Sequence, residues 1–244
     1  MGYRLDGNVS NFLEVPSTRI FNPTVDPRPM AISMWLRPAA LGTALQAVYY
    51  NDNNGNSPAI VCLLDNSNFR FFSAGAADVT TTMNSIVTVD TWNHFGVLWV
   101  DTAVMLFING ALRRTATSTA FVPNTATSSS RIGRYAGALG AYTGDSAEYA
   151  FWSGTVPSAS EMAALWTGSE AGLLADSFDE QPFRYNRFNG ALTDEKGGTA
   201  FSVFGTVNAS VAIASSPPHP TISGGGATTP FRAYGRYGVR GPVR

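Results

Sequence analysis

Four kinds of side chain in this sequence could do chemistry, and each asks for a different geometry. Acidic residues fall into three clusters, Asp145/Glu148, Asp176/Asp179/Glu180 and Asp194/Glu195. Two carboxylates about 5–9 Å apart, one donating a proton and the other attacking or accepting one, would cleave a glycosidic bond. His94 would need a nucleophile and an orienting acid to act as a base. Its near neighbours in sequence supply neither, so a packed, hydrogen-bonded histidine is expected; His219 sits apart in "PPHP". The run "YNDNNGNS" (50–57) gathers Asp52 and Asn54 around Gly55. Ca²⁺ takes six to eight such oxygens, and a polar turn uses the same residues. The aromatics Trp35, Trp99, Tyr135, Tyr142 and Trp152 could stack on sugar rings if exposed, or fill a core if not. Cys62, the one cysteine, lies in "AIVCLL". It has no disulfide partner and no Cys/His zinc spacing, and is expected as a small buried hydrophobe.

Strands must hold these groups in place. "AISMWLRP" (31–38) alternates Ile32, Met34 and Leu36 against Ser33, Trp35 and Arg37 before stopping at Pro38, a half-buried strand by its period of two. "SPAIVCLLD" and "NFRFFSAG" flank the turn formers "DNSN" (65–68). "WNHFGVLWVD" (92–101), "VMLFI" (104–108) and "ALRRTATS" read as three consecutive antiparallel strands. Asn109-Gly110 between the last two suits a type I′ turn, whose central residues both take positive φ. "SSRIGRY" (129–135) and "AEYAFWSG" (147–154) add two more strands. One helix is expected in "PSASEMAALWTG", with Ser158 and Glu161 at capping-box spacing. Met162, Leu165 and Trp166 share one face there, and Gly168 sits at the C-cap position. The patches "LLADSF", "FRYNRF", "TAFSVFG" and "SVAIA" complete the sheets over 173–214.

Composition agrees with a large all-β domain. The chain has 244 residues, 44% hydrophobic and only 14% charged, against roughly 25% charged in an average domain. The net charge of −1 gives the whole chain no bias toward nucleic acid or membrane. No stretch nears the ~20 apolar residues of a membrane helix. The start, "MGYRLDGNVS", has no apolar core of a secretory signal, so no export address of that type is expected.

The order of these features resembles the concanavalin A-like, laminin-G-like jelly-roll family. The shared set is the strand "ISMWLRP", the "TWNHF" strand, the "LFINGAL" hairpin, "RIG", and "YTGDSAEYAFWSGTVPSASEMAAL". It covers roughly residues 3–170 and extends plausibly to 214. The resemblance implies an all-β fold, a two-sheet antiparallel sandwich with one short helix, and functions from lectins to glycosidases and adhesive modules. It implies a structural place for His94. It also makes "TGDSAE" (143–148), with Asp145 and Glu148, a second candidate metal segment, although Ala147 stands where the family often has Asp. Retaining glycosidases of this fold project their acids as E-x-D-x-x-E or a close variant, and no cluster here has that spacing. Trp35, Trp99, Tyr142 and Trp152 become the glycan-platform candidates.

From Ser215 the composition turns Pro/Gly-rich and cannot build a core. Two domains follow: a sandwich, 1–214, and a basic C-terminal arm, 215–244. Only one of the 16 basic residues is lysine, Lys196, and no acid follows it. The arm's Phe231, Arg232, Tyr234, Arg236, Tyr237, Arg240 and Arg244 alternate guanidinium and aromatic groups suited to a protein partner; four charges are too few for strong nucleic-acid binding. The first expectation is therefore a non-enzymatic structural protein of an oligomeric assembly, a bacteriophage virion component such as a capsid decoration or tail-associated protein, docked through its arm. The alternative is a carbohydrate-binding, lectin-like module, with or without Ca²⁺, that meets a surface glycan. A glycoside hydrolase ranks last.

Overall fold

The structure is a computed structural model and describes residues 3–15, 20–21, 25–41, 45–51, 60–73, 75–121, 129–135, 140–166, 184–186, 188, 192 and 200–205. Asp52, Asn54, Gly168, the patches "LLADSF" and "SVAIA", and the whole arm with Phe231, Arg232, Tyr234, Arg236, Tyr237, Arg240 and Arg244 lie outside the described residues.

Alternation builds most of the strands. They are β1 (Tyr3–Asp6), β2 (Phe12–Val15), β3 (Met30–Pro38), β4 (Gln46–Asn51), β5 (Ile60–Asp65), β6 (Asn68–Ser73), β7 (Ala77–Thr82), β8 (Asn93–Val100), β9 (Ala103–Ile108), β10 (Ala111–Thr117), β11 (Ser130–Ile132), β12 (Thr143–Ser153), β13 (Arg184–Asn186) and β14 (Ser202–Phe204). The first sheet runs β1-β12-β3-β8-β9-β10, with β13 also on β12; the second runs β14-β2-β11-β4-β5-β6-β7. Among the described residues each sheet has seven strands. Every pairing is antiparallel. The expected two-sheet sandwich is therefore present. β12 begins four residues before the expected strand, because Thr143–Ser146 pair with β1.

The core lies between the sheets. Ile32, Met34 and Leu36 of β3, Phe95, Val97 and Trp99 of β8, and Tyr149 and Phe151 of β12 meet Tyr49, Cys62, Leu64, Phe69 and Phe71 of the second sheet. The alternation read in "AISMWLRP" thus assigns its faces correctly: Trp35 belongs to a separate cluster on the other side. Burial pushes the Cys62 thiol pKa well up, so that residue is the inert hydrophobe expected.

The β9–β10 hairpin turns at Asn109 (φ 50°) and Gly110 (φ 75°), both left-handed as a type I′ turn requires. Asn109 also anchors the turn sideways. Its Oδ1 accepts from the His94 N–H at 2.9 Å, and its Nδ2 donates to Asn93 Oδ1 at 3.0 Å.

The helix α1 (Ala159–Ala164) is shorter than its sequence suggested, with Leu165 as C-cap. Its capping box is formed: the Ser158 N–H donates to Glu161 Oε2 at 2.7 Å and the Glu161 N–H to Ser158 Oγ at 3.3 Å. The helix packs on the outer face of the first sheet. Met162 and Leu165 join Ala31, Leu98, Phe107, Ala150 and Trp152 in one cluster. Gly96 allows the close approach, since a Cβ there would sit 2.9 Å from Met162 Cε. Among the described residues no helix is long and apolar enough to cross a membrane.

Candidate functional site

The first sheet's outer face holds His94, Trp35 and Trp152, and there they are sealed. His94 is fully buried. Its Nε2 is 2.8 Å from Ser33 Oγ, a pairing across β3 and β8 that sequence adjacency did not reveal. The pair resembles two-thirds of a catalytic triad, but among the described residues no third member is seen. His94 Nδ1 has no hydrogen-bond partner, and desolvation pushes the imidazole down to about 3. A ring that stays neutral, with no acid on Nδ1 and away from solvent, is poorly placed to act as a base.

The glycan-platform aromatics are corrected for the same reason. Trp35 lies under Trp166, just past the end of α1, the two rings stacked at 5.3 Å. Trp152 is in the cluster beneath α1. Trp99 is in the central core, edge-on to Phe71 at 5.6 Å, and its indole N–H donates to Ser118 Oγ at 2.8 Å. Tyr142 is also in the core, its hydroxyl donating to the Asp145 carbonyl at 3.0 Å. All four are at most 3% exposed, and a ring with both faces covered cannot stack on a sugar.

Of the candidate pair Asp145 and Glu148, Asp145 is already engaged by two arginines. Arg4 holds the Asp145 carboxylate from Nε at 2.7 Å and Nη2 at 2.9 Å, and Arg37 Nη1 adds a contact at 3.3 Å. Two guanidiniums there would repel a cation. Glu148 is buried at a β12 bulge, with φ 51°. The bulge shifts the register between Ala147 and Ala150, so the alternation that would align two acids on one face is broken. Among the described residues no three metal-ligating side chains cluster.

The second sheet's outer face is different: it carries a groove of about 330 Å³, at the small end of ligand sites. Val61 and Leu63 of β5 form its buried floor, and Leu45, Phe72, Tyr135 and Gly140 its half-open rim. Tyr135 packs against Tyr50 with ring centroids 5.1 Å apart. Among the described lining residues Arg70 is the charged one. Its Nε and Nη2 donate to the two Asp78 carboxylate oxygens, each at 2.8 Å, while Nη1 lies 3.6 Å from Asp65 Oδ2. The guanidinium is 5.6 Å from the Phe72 ring centroid. These partners raise the Arg70 pKa, through the Asp78 hydrogen bond first, and Tyr135 also contributes electrostatically.

Register explains this assembly. Arg70 pairs with Leu63 on one side and Thr80 on the other, while Phe72 pairs with Asp78 and Asp65 with Asn68. Both acids are therefore diagonal neighbours of Arg70, within reach of a long side chain. Tyr135 was among the aromatics weighed from sequence; Phe72, Arg70, Asp65 and Asp78 were not. The signal that could have found them is the turn at Asn66-Ser67, which fixes the β5–β6 register.

A family model described as the concanavalin A-like lectin/glucanases superfamily matches residues 7–162. Among solved structures, the native heptameric SAP-like pentraxin from Limulus polyphemus is similar at 10% identity and TM-score 0.52, over 67% of this chain and 80% of that one. A protein from Bacteroides ovatus, provisionally assigned as carbohydrate binding, is similar at 10% identity and TM-score 0.54, over 85% of this chain and 62% of its own length. The CBM40 module of the Ruminococcus gnavus IT-sialidase, bound to α2,3-sialyllactose, is similar at 15% identity and TM-score 0.47, over 62% and 96%. At these identities the first two likenesses speak for the fold alone, and the third carries no argument. No curated protein matches the chain by sequence.

Proposed function

This chain belongs to the concanavalin A-like lectin/glucanase superfamily, and on that premise we propose that it is a non-catalytic carbohydrate-binding module. Its site is the groove between Phe72 and Tyr135. One observation carries the reading: on the second sheet's open face, two half-buried rings stand over an aliphatic floor beside Arg70, which Asp78 and Asp65 hold from behind the groove's lining. The C–H face of a sugar ring loses water against the former, and its hydroxyls find donors and acceptors at the latter. Non-catalytic binding is favoured because Asp145 is tied up by Arg4 and Arg37, and His94 is sealed beneath α1.

The arm supports a second, separate reading. Its alternating arginines and aromatics, without an acid after Glu195, suit docking onto a larger assembly such as a virion, which would present the module outward. Truncation at Ser215 would abolish that docking and leave glycan binding intact.

A glycan array tests the main reading. The full chain is expected to bind a subset of glycans, and Phe72→Ala and Tyr135→Ala each to weaken binding about tenfold, about 1.4 kcal/mol, with the melting temperature little changed. Undiminished binding by both variants would move the site elsewhere.

A further inference from the structure

We infer that the groove selects uncharged glycans and discriminates against acidic ones, because the cation at its rim is already overmatched by two carboxylates. This inference rests on the carbohydrate reading above and narrows it to a substrate class.

Arg70 is the cationic residue among the described residues that line the groove. A guanidinium has five N–H donors in a fixed fork. Two of Arg70's are committed to Asp78 in the bidentate arrangement that a ligand carboxylate or sulfate would itself require. On its other side Nη1 faces Asp65 at 3.6 Å. The cluster as a whole carries one positive charge and two negative ones. An acidic sugar would have to displace Asp78 from Arg70 and then sit beside both carboxylates.

A neutral sugar meets no such obstacle. Each carboxylate keeps lone pairs beyond those given to Arg70 and can accept from sugar hydroxyls. The remaining Arg70 N–H groups can donate to a ring or hydroxyl oxygen. The guanidinium over Phe72 fixes one end of the groove, and Val61 and Leu63 supply the apolar floor. The cluster reads as a hydroxyl-recognising device, with the arginine serving to hold the two acids at hydrogen-bonding positions.

Matched pairs of glycans that differ only by an acidic sugar, lactose against sialyllactose among them, test this on the full chain by array and titration calorimetry. The wild type is expected to bind neutral members at least tenfold more tightly than their acidic counterparts. The double variant Asp65→Asn, Asp78→Asn leaves Arg70 as an unopposed cation, and the preference should shrink or invert. Asp78 is exposed and Asp65 half-buried, so thermal melting serves as the folding control. A wild-type preference for the acidic members, lost in Arg70→Gln, would overturn the inference and leave the carbohydrate reading standing. A neutral preference untouched by the double variant would also overturn it, by removing the carboxylates as its cause. Absence of binding to either member of every pair would overturn the carbohydrate reading itself.

Discussion

The two sheets face water through unlike surfaces. The first sheet's outer face places small residues, Ala31, Ser33, Gly96, Ala147 and Ala150, between bulky ones. A helix can lie in the resulting trough, and α1 does so, with Met162 over Gly96 and Trp166 stacked on Trp35. The second sheet's outer face offers Arg70, Phe72 and Asp78 on adjacent strands, tied to each other sideways. Among the described residues no helix covers it. Aromatic content alone therefore does not mark a binding face. The tryptophans of the first sheet's outer face are spent on packing, and the ligand groove forms where the sheet carries fewer and smaller rings together with bound charge.

Removing one large ring from each face should separate packing from function most sharply. Trp152, 1% exposed beneath the helix, should cost about 3–5 kcal/mol when changed to Ala, read as a shift in the urea midpoint. The same variant, while folded, should keep its glycan affinity. Phe72 is only half-buried at the groove rim, so Phe72→Ala should cost roughly 1 kcal/mol of stability by its smaller lost burial and most of its effect should fall on binding. Equal stability losses for the two would erase the distinction between roofed and open faces.

Acid should break the two faces in the same order. His94 is buried neutral among Ser33, Trp35, Gly96 and Met162, and its folded pKa is pushed from 6.5 down to about 3. In that interval the unfolded chain binds a proton that the folded chain refuses. The contribution is therefore fully present above pH 6.5 and is lost as pH falls toward 3, at up to about 1.4 kcal/mol per pH unit. Between pH 6.5 and 5 ordinary carboxylates remain ionised, so urea titrations there should isolate the effect. His94→Gln should flatten the slope by about one proton. A wild-type slope near zero would mean that the ring takes up a proton while α1 stays in place.

How much of this was legible in the sequence differs between the faces too. The capping box at Ser158 and Glu161, the Asn109-Gly110 turn, and the alternation that sets Trp35 apart from Ile32, Met34 and Leu36 are local patterns that place elements; the sandwich itself is what the resemblance of their order implies. What alternation cannot say is which side of a strand another element will cover. That is why Trp35 and Trp152 read as platform candidates and are packed instead. β4 gave no strand signal because a bulge between Ala47 and Tyr49 breaks its period while both its faces are buried. The groove was hidden for another reason: Asp65, Arg70 and Asp78 lie on three strands and come together only through register. Asp52, Asn54 and the arm's arginines, outside the described residues, keep the standing that composition gave them.

The smallest stability change should come from Asp78→Asn, and its smallness is informative. Asp78's side chain is 52% exposed and Arg70's 28%, and exposed ion pairs contribute about 0–1 kcal/mol once solvent screening and side-chain entropy are counted. Chemical denaturation should therefore place the variant within about 1 kcal/mol of wild type, with the difference shrinking further in salt. Glycan binding, if Asp78 accepts from a sugar hydroxyl, should fall by a larger factor than stability does. A loss comparable to that of Trp152→Ala would show that the Arg70 cluster is holding β6 and β7 together, and would make the open face structural after all.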